Sequence, residues 1–127
     1  MTEFVNTAAE TLEDGISKMF SAMIKDYGAF MPTDYEGDIF DLSSEIRIRM
    51  NEEYVDGLTF KRGSKYIKVI SRDSVSSFIV ATENDKKFKK GDILKPAGWA
   101  APARNGARGN VLDGGYPINW TGPLYLR

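Results

Sequence analysis

Apolar residues recur at Val5, Ala9, Leu12, Ile16, Met19, Phe20, Met23 and Tyr27. Steps of three and four draw one stripe, which predicts an amphipathic helix over the first segment. Thr7 followed by Glu10 fits a capping box, Gly15 interrupts the helix at a cost of roughly 1 kcal/mol relative to alanine, and Gly28 marks its stop. Residues 32–38 form a polar linker with turn chemistry. A second helix follows, capped by Asp41 or Ser43, with Leu42, Ile46, Met50 and Tyr54 or Val55 on one face and Gly57 at its end. Ile46, Ile48 and Met50 also alternate with arginines, the period of a strand. Helix is preferred there because Asn51-Glu52-Glu53 continues it.

From Leu58 the period changes. Leu58-Thr59-Phe60 is short and strand-like, Lys65 to Ile70 and Val75 to Ala81 read as strands, and Ile93-Leu94 closes the run. Short connections predict an antiparallel meander, whose apolar face the helices would cover. From Lys95 onward the chain holds four of its five prolines, six of its twelve glycines and both tryptophans. This predicts a long Gly/Pro-rich segment, with large aromatics that argue against disorder. The expected fold is α+β: two N-terminal helices packed on a small antiparallel β meander, followed by that segment. The chain has 127 residues, which fits one domain over 1–127.

Charge divides the domain. Residues 1–56 carry thirteen acids and four bases, a net −9, and residues 57–127 carry thirteen bases and five acids, a net +8. The halves either attract each other or present different surfaces to different partners. The helical stripe over residues 5–27 packs on the protein's own sheet or pairs with its copy in a homo-oligomer. No apolar run approaches the ~20 residues that span a bilayer.

The chemistry available is narrow. With no cysteine and no histidine, thiolate catalysis, the usual neutral-pH base and the commonest metal ligands are missing. The acids Asp34, Glu36, Asp38 and Asp41 lack the spacing of a calcium loop. No cofactor, metal site or catalytic residue is expected. The strongest local feature is the run Lys95-Pro-Ala-Gly-Trp99-Ala-Ala-Pro-Ala-Arg104-Asn105-Gly106-Ala-Arg108-Gly109-Asn110. Arginine forks match phosphate, Gly and Asn allow backbone amides to converge on an anion, and an indole face can stack a base. The candidate ligand site is therefore Lys95, Trp99, Arg104, Asn105, Arg108 and Asn110, with a nucleotide or nucleic acid as ligand. A surface loop whose Trp99 plugs the core and whose arginines pair with the acidic half would show the same residues. Lys86-Lys87-Phe88-Lys89-Lys90 adds an electropositive patch or protects a sheet edge.

The runs Lys65 to Ile70, Ser74 to Val80, Gly91 to Arg104 and Arg108-Gly109-Asn110, with the terminal Gly122 to Leu126, resemble small uncharacterised proteins of tailed bacteriophages. Their recurring elements read "RKYxKI…SVHxFV…GDIYKPASWKAPAK…RGN". The chain carries Ser76 where that pattern has histidine and Gly98 where it has serine. The resemblance covers the basic half. It implies a viral origin, a place in the host cytoplasm and an accessory role, such as counteracting host defence. Two alternatives stand beside phosphate-ligand binding: acidic helices that bind a host protein, and a structural role in an assembly.

Overall fold

A computed structural model describes residues 2–32 and 44–124. These contain two helices and seven strands in two antiparallel sheets, an α+β fold. In chain order the elements are β1 (Glu3–Val5), α1 (Leu12–Phe30), α2 (Ser44–Asp56), β2 (Leu58–Arg62), β3 (Tyr66–Ser71), β4 (Ser74–Val80), β5 (Ile93–Leu94), β6 (Tyr116–Asn119) and β7 (Gly122–Pro123). The larger sheet runs β2-β3-β4-β5 and the smaller β1-β6-β7.

The first helix starts later than its apolar stripe suggests. Val5 lies in β1, where it pairs with Tyr116 of β6, and the Ala9 N–H donates to Leu112 O at 2.9 Å. Thr11 caps α1, its hydroxyl accepting from the Asp14 N–H at 3.1 Å. Thr7 instead accepts from Lys18 Nζ. Gly28 does not stop α1, which continues to Phe30 and closes with the Met31 N–H on Tyr27 O.

Residues 44–56 are helical, so the alternating arginines do not make a strand. The buried side of α2 carries Arg47 and Tyr54, while Ile46 and Val55 are exposed. The linker beyond Pro32, the capping candidates Asp41 and Ser43, and Leu42 lie outside the described residues, as do Tyr125 and Leu126. The two helices are not a simple N-terminal pair, because β1 precedes them. Nor is the chain beyond Lys95 one long irregular segment. Its last part folds into β6 and β7, which complete a second sheet with β1.

Alternation along the strands gives the larger sheet two different faces. Cross-strand partners Ile67, Ile79 and Ile93 point to the main core. There they meet Ile16, Met19 and Met23 of α1 with Val111 and Ile118, all fully buried. The helix stripe is thus used inside one chain. Gly15 is the close-approach point: a Cβ there would lie 2.5 Å from Val111 O. The opposite face carries the partners Lys68, Phe78 and Leu94. Phe78, Val80, Leu94 and Phe88 form a smaller second core there.

Tyr27 and Tyr54 stack with ring centroids 4.2 Å apart, and Trp120 meets both edge-on. Tyr54 donates to Trp120 O at 2.6 Å, and burial pushes its phenol pKa well up. This cluster ties α1 and α2 to the turn between β6 and β7.

A candidate phosphate-binding groove

The second face of the larger sheet is covered over β4 and β5 but open over the β2–β3 hairpin. Ile67 and Val69 are buried on the main core side, so the period of two sends Tyr66 and Lys68 to the other side. Lys61 of β2 stands directly opposite Lys68 in the register. Two like charges facing each other across a sheet are destabilising, and an anion between them removes that repulsion. The hairpin turn is tight, with the Gly63 N–H on Tyr66 O at 2.8 Å.

A loop over residues 96–102 forms the facing wall. Pro96 and Pro102 form an isolated bridge, the Ala97 N–H donates to Ala101 O, and the Ala103 N–H donates to Lys95 O. Trp99 projects from its tip, 57% exposed. Lys68 Nζ lies 4.5 Å from the centre of the indole ring, within cation–π range. Between hairpin and loop is an open groove of about 300 Å³ whose lining includes Lys61, Arg62, Lys65, Tyr66, Lys68 and Phe78. No described lining residue is acidic. Glu13 of α1 reaches Arg62 and pairs with it, leaving the three lysines as the groove's main positive charge. A second cavity of about 450 Å³ adjoins it, sharing Lys65 and Tyr66 and adding Lys86, Asp85 and Arg104.

The six residues singled out by sequence are dispersed. Trp99 flanks the groove. Arg104 forms a fork with Asp85, both bonds at 2.9 Å, and donates to the Tyr66 hydroxyl at 2.6 Å. It also lies 4.9 Å from the centre of the Phe88 ring. Arg104 therefore fixes Tyr66 in the groove instead of presenting a free fork. The fork from Arg104, with the amides of Lys87 and Phe88, holds the Asp85 carboxyl well below the usual carboxylate range. Arg108 donates to Leu124 O at 3.0 Å, Gly106 O and Asn105 Oδ1, so Asn105 and Arg108 hold each other. Lys95 is half-buried nearby; burial, then the neighbouring Arg108 charge, lowers its pKa. Asn110 is buried and structural. It donates to Lys90 O and Asp92 Oδ1 and accepts from the Leu112 and Asp113 N–H groups. Of the six, Arg104 thus lines the adjoining cavity and Trp99 stands at the groove's edge against Lys68.

The lysine-rich patch is also partly tied down. Phe88 is 6% exposed, Lys87 donates to Arg104 O, and Lys89 pairs with Asp113. The residues missed were Lys61, Lys65, Tyr66 and Lys68. Their signal was present as two charges, Lys65 and Lys68, set among apolar strand residues, which is costly unless the sheet leaves part of that face open.

Among the described residues no cluster of acids, cysteines or histidines could hold a metal ion, and no helix is long and apolar enough to cross a membrane. The chain matches a family of unknown function, DUF7717, over residues 2–125. The chain belongs to that family. DUF7717 spans both charge halves, so the acidic helices and the basic strands are parts of one family unit. No curated protein and no solved structure matches the chain.

Proposed function

We propose that this member of DUF7717 is a non-enzymatic binder of a phosphate-bearing ligand, a nucleotide or a nucleic acid, held in the β2–β3 groove. The observation that carries the reading is the opposed pair Lys61 and Lys68 beside the exposed Trp99. The lysines supply positive charge for phosphate, and Trp99 and Tyr66 supply faces for a base. Arg104 acts by positioning Tyr66. The phage resemblance adds to this reading an accessory role in the host cytoplasm, with host defence as its field of action.

The test is calorimetric titration with nucleoside triphosphates and oligonucleotides, repeated on Lys61→Ala/Lys68→Ala. Binding that disappears in the double variant supports the groove; unchanged binding refutes it. A second reading has one observation in its favour. One exposed flank of α2 carries Ile48 and Val55 beside the acids Glu45 and Glu52, a surface suited to a basic protein partner. Loss of a captured host protein on Ile48→Lys, with nucleotide binding intact, would favour it.

A further inference from the structure

We infer that the groove's ligand is a single-stranded nucleic acid, tracked along Lys61, Lys68 and Lys65 into the adjoining cavity at Lys86 and taken without strong sequence preference. This rests on the phosphate-binding reading and narrows it.

The shape of the site favours a strand over a single nucleotide. The groove and the second cavity lie side by side, with Lys65 and Tyr66 lining both. Lysines occur along both parts, as needed to follow a backbone with several phosphates. A lone nucleotide is usually held by converging backbone amides. Here the amide of the turn glycine, Gly63, is already used by Tyr66 O.

The aromatic side chains favour unpaired bases. Trp99 is held out on a braced loop with more than half its surface exposed. Tyr66 is half-buried and fixed by Arg104. Such faces stack bases that are not already stacked in a duplex. Sequence tolerance follows from the polar side chains nearby. Arginine and asparagine read base edges through paired hydrogen bonds. Arg104 has its fork on Asp85, Asn105 is bonded to Arg108, and Asn110 has both its donors and its acceptor engaged. What remains to the ligand is charge and stacking.

The experiment is fluorescence anisotropy of the full chain with a labelled oligothymidylate of about 15 nucleotides, near the upper site size for such binders. Competitors are oligouridylate, a hairpin duplex and ATP. Both single strands should compete, which distinguishes DNA from RNA sources only by degree, with duplex and ATP at least about tenfold weaker. Four lysines predict a log–log salt slope of roughly −3, which Lys61→Ala/Lys68→Ala should flatten to roughly −1.5. Trp99→Ala should weaken binding roughly fivefold or more and leave the slope unchanged. Lys61→Arg/Lys68→Arg should retain binding and serves as the folding control. Equal or tighter binding of the duplex, or of ATP, overturns the single-strand inference while leaving phosphate binding in place. No binding of any ligand, or binding indifferent to the lysine substitutions, overturns both.

Discussion

Asp26, in the C-terminal part of α1, accepts the backbone N–H of Trp120 at 2.9 Å, although 94 residues separate them. The carboxylate is 1% exposed, and its other oxygen, Oδ1, has no hydrogen-bond partner among the described residues. Replacing it with alanine leaves a buried amide without an acceptor, at a cost of about 1–3 kcal/mol. Asp26→Ala should therefore lower the urea midpoint clearly. Asp26→Asn keeps an acceptor for Trp120 and should lose less. Equal midpoints for wild type and Asp26→Ala would show that the bond carries no net stability.

Gly15 reverses the expectation from helix propensity. On an isolated helix alanine would gain about 1 kcal/mol. In the fold, a Cβ at this position would lie 2.5 Å from the carbonyl oxygen and 2.9 Å from the Cβ of Val111. Overpacking against backbone costs typically 1–3 kcal/mol. Gly15→Ala should thus lower the melting temperature, as read by circular dichroism.

Lys61 and Lys68 repel each other in the free protein. Lys61→Gln should stabilise the fold by roughly 0.2–1 kcal/mol while weakening ligand binding. Denaturation and titration of the same variant check both signs. The gain should shrink as salt is added, because salt screens exposed charges.

The Asp85–Arg104 fork gives an acid dependence. The Asp85 pKa is depressed in the folded state, first by the hydrogen bond from Arg104. Its contribution is therefore complete above the unfolded value of about 3.9 and is lost as pH falls through the lower folded value. Wild type should exceed Asp85→Asn in melting temperature at pH 6, and the gap should narrow steadily between about pH 4 and pH 2. A gap constant over that range would show that this carboxylate does not govern the acid limb.

The helices and the β3–β4 hairpin were legible because each carries a local period: Ile16, Met19 and Met23 on one, Ile67 and Val69 on the other. The start of α1 was not, because Val5 and Ala9 continue the helical spacing while their fate is decided by Tyr116 and Leu112, more than a hundred residues away. The smaller sheet was hidden for the same reason, since β1 and β7 are too short to show a pattern of their own. In the candidate site, Trp99 could be singled out as a large aromatic in a Gly/Pro-rich stretch. The uses of Arg104, Arg108 and Asn110 could not, because their partners Asp85, Leu124 and Lys90 are assigned only by tertiary contact. Lys61 and Lys68 become a pair only once the hairpin register is known.

The pairing of β1 with β6 also bears on how the protein is made. During synthesis residues 3–5 emerge long before residues 116–118 and must wait for them before their sheet can form. Until then α1 lacks Val111 and Ile118, two of the side chains that bury its apolar side. The β2–β3–β4 hairpins, whose contacts are local, can assemble on the ribosome, but closure of the main core waits until residues 111–118 have emerged. A nascent chain stalled before Tyr116 should accordingly show protease-resistant hairpins and a protease-sensitive first helix.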